Sequence, residues 1–447
     1  MRACDTAVIG AGIAGIAAAE ALTAAGIRQV VLIDRAQPMA LTSAQSGENY
    51  RNWWPHPVMT QFTDDSITRM EILARDDPDR IRLTRRGYVL ATRLPGIDGH
   101  LTALRDGYGE TGQVRLHSTG GSSYRPSRSA DWRDNPDGVD VLTDPAAIRA
   151  AFPALAEDVA TVLHIRRAGD VSSQGLGQLL LDRFVAVGGR RVTAEVTGID
   201  ASGPRFTIAL STGERVRADR VINAAGPFLQ KIGGVFGETL PVKNVLQQKI
   251  AFEDSACALP RDMPFTIDLD AQTLGWPAED RAVLAADPAT AWLTNPMPGG
   301  IHRRPDGGEC GKWVKLGWAY NAAPSAAEVA PKLDPTFPDI VLRGAARLTP
   351  SLAQYIGRLP RSQSHYGGYY TMTEENWPLI GPMGTPGAYV LGALSGFGTM
   401  AACQAGTLAA AWVTGAALPD YANALSPARY GDPALLHAAR QCGNGVL

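Results

Sequence analysis

The N-terminal part of the chain alternates short apolar runs with an alanine-rich segment. Residues 6–9 form an apolar run that predicts a buried strand, and residues 10–25 predict a turn and a helix that ends at Gly26. A second apolar run at residues 29–33 predicts another strand, which ends at Asp34. A strand, a helix and a strand within about 30 residues have the size of one right-handed βαβ unit.

Apolar runs of the same kind return in the middle and near the end of the chain. Strands are predicted at residues 191–199, 205–210, 215–218, 220–224, 242–253, 313–316 and 388–394, and an apolar helix at residues 399–413. Buried parallel strands are therefore expected at the start, middle and end of the chain. This arrangement predicts an α/β domain assembled from separate pieces, with a second domain inserted between them.

The turn after the first strand has the spacing of a dinucleotide-binding fingerprint. Gly10 allows a tight turn, Gly12 lets a pyrophosphate approach the backbone, and Gly15 lets the helix pack on the strand. The N-terminus of the helix offers free N–H groups and the positive end of a dipole to phosphates. Asp34 follows the second strand, where an acidic side chain accepts hydrogen bonds from ribose hydroxyls. Strand, glycines, helix and acid together predict a bound dinucleotide.

Composition and charge exclude several other classes of protein. The 447 residues include 42 Lys and Arg and 44 Asp and Glu, so the net charge of −2 gives no reason to expect nucleic acid or an anionic membrane as partner. No run of 18 apolar residues occurs, so no membrane span is expected. The five cysteines are widely spaced without a C-x-x-C motif, which favours a reduced, cytoplasmic setting. The seven histidines have no paired spacing, so no metal site is expected.

Further short motifs follow one another along the chain. They are Ser43-Ala44-Gln45-Ser46-Gly47 through Arg51, Val221-Ile222-Asn223-Ala224-Ala225-Gly226-Pro227, Lys315-Leu316-Gly317, Tyr369-Tyr370-Thr371, Trp377-Pro378-Leu379-Ile380-Gly381 and Leu394-Ser395-Gly396-Phe397-Gly398. In this order, and with the N-terminal fingerprint, they resemble the flavin-dependent amine oxidases of the D-amino-acid oxidase and monomeric sarcosine oxidase group. The resemblance is weakest from about residue 101 to 170, and it makes FAD the expected dinucleotide.

The resemblance also implies a fold and its division into domains. We expect an α/β protein with a discontinuous Rossmann-like FAD-binding domain and an inserted α+β substrate domain built on a mostly antiparallel sheet. The FAD-binding domain would comprise residues 1–85, 165–240 and 365–447. The substrate domain would comprise residues 86–164 and 241–364.

The family's cofactor contacts can be carried onto this sequence position by position. The resemblance implies that FAD meets Gly10, Gly12, Ile13, Ala14, Gly15, Asp34, Arg35, Ser43, Ser46, Val196, Ala224, Ala225, Gly226, Gly396, Phe397, Gly398, Thr399 and Met400. Small residues at the exit of the strand at 220–224 would let the cofactor lie against the backbone. The dipole of the helix that begins near Gly398 would stabilise negative charge on reduced flavin.

Three residues match positions that act on the substrate or on oxygen in this family. Lys315 would stand near the flavin, where a fixed cation promotes reaction with oxygen. Arg51 would lie near the substrate carboxylate or the flavin, and Tyr370 matches an active-site tyrosine. The alternative for Lys315 and Arg51 is an ordinary exposed position, which is the usual place for these residue types. Arg303 and Arg304 are expected to be solvated charges.

Two positions depart from the pattern of the sarcosine oxidases. The cysteine that tethers FAD in some of them would fall at Gly368, so non-covalent FAD is expected. A lysine that pairs with the substrate carboxylate would fall at Met400. The loss of that cation favours an amine that is larger than sarcosine or glycine, or one that is anchored differently.

The expected function is oxidation of the C–N bond of an amine or amino-acid-like substrate, with hydride passing to flavin N5 and oxygen becoming hydrogen peroxide. One alternative is an FAD-dependent dehydrogenase of a 2-hydroxy acid or cyclic amino acid that uses an electron carrier. Such an enzyme usually has a histidine or another base near the substrate oxygen, and the sequence alone does not place one. A non-catalytic FAD-binding subunit is the other alternative, and the presence of Lys315, Arg51 and Tyr370 together argues against it.

Overall fold

Helices and strands are distributed along the whole length that the computed structural model describes, which is residues 2–109, 113–118, 123–127, 132–133 and 135–441. The α-helices in these ranges are α1 (Ile13–Ala24), α2 (Pro57–Asp76), α3 (Pro78–Ile81), α4 (Asp98–Tyr108), α5 (Pro145–Ala151), α6 (Ser173–Ala186), α7 (Leu229–Val235), α8 (Ala278–Ala286), α9 (Phe337–Leu348), α10 (Gly398–Thr414) and α11 (Pro433–Gln441). Short 3₁₀ helices cover Thr42–Gln45, Gly226–Phe228, Ala291–Thr294, Pro350–Tyr355, Asn423–Leu425 and Pro427–Gly431. No helix among the described residues is both long enough and apolar enough to cross a bilayer.

The strands belong to two large sheets and one two-stranded ribbon. They are β1 (Arg2–Ile9), β2 (Val30–Asp34), β3 (Asn49–Arg51), β4 (Tyr88–Thr92), β5 (Val114–His117), β6 (Val139–Leu142), β7 (Thr161–Ile165), β8 (Ala168–Asp170), β9 (Arg190–Thr193), β10 (Val196–Asp200), β11 (Phe206–Leu210), β12 (Arg215–Asn223), β13 (Lys243–Glu253), β14 (Phe265–Asp268), β15 (Ile301–Asp306), β16 (Trp313–Trp318), β17 (Gln363–Met372), β18 (Leu379–Pro382) and β19 (Ala388–Gly392). The ribbon pairs β3 with β8.

The first sheet contains the predicted βαβ unit. Its main order is β10-β11-β12-β1-β2-β9, and β19 pairs with β12 and with β18. Neighbouring pairs from β12 through β1 and β2 to β9 are parallel, as is the pair of β12 and β19. Strands from the start, middle and end of the chain therefore lie side by side, as the apolar runs predict. Helices α1, α2, α6 and α10 contribute to one buried cluster against this sheet.

Two strand predictions in this sheet need correction. The runs at 215–218 and 220–224 are one strand, β12, whose first part pairs with β11 and whose last part pairs with β19. The polar pair Asp219 and Arg220 interrupts the apolar pattern at the point where the strand paired with β12 changes from β11 to β19. The single strand predicted at 191–199 is two strands, because β9 pairs with β2 whereas β10 pairs with β11.

The second sheet has the order β17-β13-β16-β15-β14-β4-β7-β6-β5. It is a mixed sheet, since β14 is parallel to β4 and β5 is parallel to β6. Helix α9 buries Phe337, Ile340 and Val341 in the core on one face. The predicted domain boundary at residue 365 falls inside β17, and the division into domains stays a prediction. The segment between β2 and β3 lies against the second sheet, where Gln45 contacts Lys249 of β13 and lies beside Gly368 of β17.

Candidate active site

The turn between β1 and α1 leaves no room for side chains at two of its glycines. Gly10 has φ +108°, and a Cβ there would collide with the carbonyl oxygen of Ala224. A Cβ at Gly15 would collide with the carbonyl oxygen of Gly10. The N–H of Ile13, at the start of α1, donates to Ser43 Oγ at 3.0 Å. The close packing of β1, β12 and α1 therefore forms the turn that the fingerprint predicts.

Asp34 holds this turn in place from the end of β2. One carboxylate oxygen accepts from the N–H of Ala11 at 2.6 Å, and the other accepts from Ala36 at 2.8 Å. Each carboxylate oxygen has two lone pairs, so both retain one for a ligand hydroxyl. Asp34 can thus brace the glycine turn and meet a ribose at the same time.

A first cleft opens beside the turn, with a volume of about 500 Å³. Its walls include Gly10, Asp34, Arg35, Glu195, Val196, Ala225, Phe228 and Lys231. The guanidinium of Arg35 lies 4.0 Å from the centre of the Phe228 ring, and its Nη2 is buried without a hydrogen-bond partner. An unsatisfied buried N–H next to a helix N-terminus fits a ligand that brings hydrogen-bond acceptors, as a dinucleotide does.

A second cleft of about 820 Å³ lies between the loop before β3, the N-terminus of α10 and the second sheet. Its walls contain the predicted residues Ser46, Arg51, Tyr370, Gly396, Phe397, Thr399 and Met400, together with Glu48, Asn49, Trp54, Tyr88, Lys249, Phe265 and His302. No described residue lines both clefts, but the loop after β2 contributes residues to each of them.

Two predicted cofactor residues lie at element ends. Gly226 has φ +56° at the turn after β12, and Gly398 is the first residue of α10.

The loop before α10 is held close to the second sheet. Ser395 has φ +42°, and a Cβ at Gly396 would collide with the ring of Tyr370. The hydroxyls of Ser46 and Thr399 are 2.8 Å apart, which connects the loop before β3 to the first turn of α10. The free N–H groups at the start of α10 therefore lie at the wall of the cleft, and their contact with the flavin stays a prediction.

Arg51 is buried in the second cleft rather than exposed to solvent. Its exposed fraction is 2 %. The guanidinium lies 4.7 Å from the centre of the Trp54 ring and 5.2 Å from that of Tyr88. Burial lowers the pKa of Arg51, although the phenol of Tyr88 opposes this shift. A cation held between aromatic faces can receive a carboxylate through two parallel hydrogen bonds.

Lys315 does not belong to the wall of this cleft. Its Nζ donates to Glu48 Oε2 at 2.6 Å and lies 3.4 Å from Asp306 Oδ2. Arg304 also pairs with Glu48, at 3.3 Å, and donates through Nε to the carbonyl oxygen of Gly47 at 3.1 Å. Burial opposes ionisation of Glu48, but the charge and hydrogen bond of Lys315 outweigh it and lower the pKa of the carboxyl. Lys315 is therefore paired with Glu48, which belongs to the loop that lines the cleft.

The expectation that Arg303 and Arg304 are solvated is wrong. Their exposed fractions are 0 % and 4 %. Arg304 enters the cluster around Glu48, and Arg303 donates to Thr349 Oγ1 at 2.5 Å. Both lie inside β15, a strand with a paired strand on each edge, which a pair of adjacent charges does not suggest.

Two cleft residues, Lys249 and His302, escaped the sequence analysis. Lys249 is 6 % exposed on β13, and His302 lies on β15. Both flank Gly317 of β16, since Lys249 and His302 each pair with it in register. The position of Lys249 directly before the apolar run 250–252 is the sequence feature that could have indicated its burial. Nothing local distinguishes His302, because only the order of the strands brings it to the cleft.

The comparisons with known proteins agree with this architecture. The family model described as FAD dependent oxidoreductase (DAO) matches residues 5–412. The chain belongs to this family. It is accordingly an FAD-dependent oxidoreductase, and the residues around both clefts fit that cofactor. Among its described residues, no group of three or more His, Cys, Asp or Glu side chains could hold a metal ion.

Solved structures with the same fold include several enzymes that act on amino acids. Glycine oxidase from Geobacillus kaustophilus is 16% identical, with coverage of 95% of this chain and 98% of that one and a TM-score of 0.72. L-proline dehydrogenase from P. horikoshii is also 16% identical, with coverage of 96% and 98% and a TM-score of 0.72. NikD, described as an unusual amino acid oxidase, is 16% identical in its Tyr258Phe mutant, with coverage of 96% and 98% and a TM-score of 0.69. At these identities the likeness is one of fold.

Replacing Asp34 tests its contact with the cofactor. Asp34→Ala removes an ionised acceptor, worth about 1.5–3 kcal/mol, so FAD should bind roughly tenfold to hundredfold more weakly. Fluorescence titration of the protein with FAD measures this loss. Asp200→Ala, at the exposed end of β10, is the matched control and should leave the affinity unchanged. An unchanged affinity in Asp34→Ala would exclude Asp34 as a ribose ligand.

Denaturation tests the mode of FAD attachment. Gly368 lies in β17 and has no side chain that could bond to the flavin, so FAD should stay in solution when the protein is precipitated with acid. The absorbance of supernatant and pellet measures the partition. Yellow colour that remains in the washed pellet would contradict non-covalent binding.

Proposed function

We propose that this enzyme oxidises the C–N bond of an amine that carries a carboxylate, and that oxygen is the electron acceptor. The amine loses two electrons and two protons to become an imine, and oxygen gains both to become hydrogen peroxide. Bound FAD supplies the acceptor for the hydride. The observation that carries the proposal is the buried guanidinium of Arg51 in the wall of the second cleft.

Arg51 supports a substrate with a carboxylate for electrostatic reasons. Burial of a cation among aromatic rings is unfavourable, which the lowered pKa of Arg51 expresses. A carboxylate that enters the cleft would restore the lost solvation by charge and by two hydrogen bonds. The same contact would orient the substrate, which is a large part of what a flavoenzyme contributes to hydride transfer.

The other polar residues of the cleft favour binding of the amine in its neutral form. Burial raises the pKa of Tyr370 to about 12, so its hydroxyl stays protonated at neutral pH. Burial and then the charge of Lys249 lower the pKa of His302 to about 3, so the imidazole is neutral. Tyr370 and His302 can form hydrogen bonds with a substrate. Neither is a base strong enough to take a proton from an ammonium group at neutral pH. A neutral amine needs no such base.

His302 is also the observation that favours the second candidate function, an FAD-dependent dehydrogenase. A 2-hydroxy acid dehydrogenase usually has a histidine near the substrate oxygen, and His302 lies in the cleft wall. Its ring nitrogen Nδ1 is 3.3 Å from the carbonyl oxygen of Gly300, which leaves Nε2 as the acceptor. The low pKa of His302 makes it a weak base, so amine oxidation remains the preferred function.

The direct test compares wild type with Arg51→Met. Anaerobic addition of an amino acid should bleach the flavin of the wild type, and admission of oxygen should yield one hydrogen peroxide per amine. Arg51→Met should bind carboxylate-bearing amines about 10- to 100-fold more weakly, and amines without a carboxylate equally well. Arg361→Met, an exposed arginine, is the control. Reduction by 2-hydroxy acids alone, or electron transfer only to carriers, would contradict the proposal.

Lys315→Met tests how that residue acts. Since Lys315 pairs with Glu48, we expect the loss of its charge to loosen the loop before β3 and to weaken FAD binding by about tenfold. Glu48→Gln should have a similar effect, and the double variant should lose little more. Lys312→Met, exposed on the preceding loop, is the control. Unchanged FAD affinity with slow reoxidation in stopped flow would instead support the direct role in oxygen reaction that the sequence predicts.

A further inference from the structure

The second cleft contains a buried cation that no carboxylate of the described chain accompanies. Lys249 is 6 % exposed, and its Nζ makes one long hydrogen bond, 3.4 Å, to the carbonyl oxygen of Gln45. Among the described residues, no carboxylate oxygen lies within 4.0 Å of this nitrogen. The charge of Glu48, the only acidic side chain among the described residues of the wall, is already shared by Lys315 and Arg304.

The surroundings of Lys249 disfavour an unaccompanied positive charge. Burial, and then repulsion from Lys315, lower the pKa of Lys249 to about 8. Its neighbours from the adjoining strands are the neutral His302 and the protonated phenol of Tyr370, whose ring centre lies 5.6 Å from Nζ. An anion in the cleft would relieve this cost, because breaking or omitting the partner of a buried charge is expensive.

Lys249 and Arg51 lie against different aromatic rings of the cleft wall. Arg51 lies against the ring of Tyr88, at 5.2 Å, whereas Lys249 lies against the ring of Tyr370. The side chains of Tyr88 and Tyr370 both line the cleft. Each cation therefore lies against a different ring of the same cleft. A ligand with a single carboxylate brings one negative charge to two buried positive ones.

Gly317 keeps the space for this arrangement. A Cβ at Gly317 would collide with Nε2 of His302 and would lie 3.1 Å from Cγ of Lys249. The absent side chain lets the lysine cross the strand toward the cleft. The position of Nζ thus follows from the packing of three neighbouring strands, β13, β16 and β15.

We propose that the substrate is an amine with two carboxylates, one bound by Arg51 and the other by Lys249. This inference rests on the proposed function, because it names the substrate class for the same site. Lys249 supplies the second anchor, against the ring of Tyr370. An amine with a single carboxylate leaves Lys249 without an anion and binds more weakly.

The test uses thioethers, which resemble the amines but cannot form an imine. Thiodiacetate and 3,3′-thiodipropionate are titrated into the FAD-loaded enzyme, and each is compared with its monoamide, in which one carboxylate is replaced by a neutral group of the same size. The change in flavin absorbance measures binding. At least one dicarboxylate should bind tenfold or more tightly than its monoamide.

Variants assign that preference to Lys249. Lys249→Met should abolish the preference for the dicarboxylate over its monoamide, while Lys249→Arg should retain it. Replacement of a buried cation by methionine is compatible with folding. Lys243→Met removes an exposed lysine from the same strand and should have no effect. Equal binding of dicarboxylates and monoamides, or an equal loss of both in Lys249→Met, would overturn the proposal.

A separate measurement distinguishes this failure from failure of the proposed function. Amines with one and with two carboxylates are mixed anaerobically with the enzyme, and flavin reduction is recorded. Reduction by both kinds with equal apparent affinity would overturn the two-carboxylate assignment and leave amine oxidation standing. Absence of reduction by every amine would overturn the proposed function itself.

Discussion

Glu48 is the contact on which the second cleft depends. Its carboxylate accepts hydrogen bonds from Lys315 of β16, from Arg304 of β15 and from Ser173 at the start of α6. The backbone of Glu48 is in the left-handed region, φ +60°, so the loop turns sharply at this residue. A loop from the first part of the chain is thereby fixed against strands from the last third. Without these ion pairs, the wall of the cleft between the two sheets would lose its anchor.

The distribution of charge in the cleft follows from this cluster. Glu48 is engaged by Lys315 and Arg304. The other charged side chains among the described residues of the wall are Arg51 and Lys249, and both are cations. Both side chains are almost fully buried, which strengthens the electrostatic contacts that they make. Under the proposed function, these cations bind the carboxylate of the ligand and thereby position its amine group.

The sequence predicts the parts of the site that are built locally. Gly10, Gly15 and Asp34 lie within one βαβ unit, and their spacing alone defines the turn, so the structure brings them together as expected. The role of Lys315 was inferred from the motif around it, but the direction of its side chain depends on Glu48, which is 267 positions away in the chain. Such a contact has no local signal. The same holds for Lys249 and His302, which adjoin only because β13 and β15 flank β16.

The central claim is that the guanidinium of Arg51 receives the carboxylate of the substrate. A crystal structure of the FAD-loaded enzyme with a bound thioether carboxylate would test it most directly. The account predicts a carboxylate oxygen within hydrogen-bond distance of the Arg51 guanidinium, with the sulfur atom beside the flavin. A ligand whose carboxylate lies elsewhere, with Arg51 in contact only with the flavin or with protein, would contradict the account.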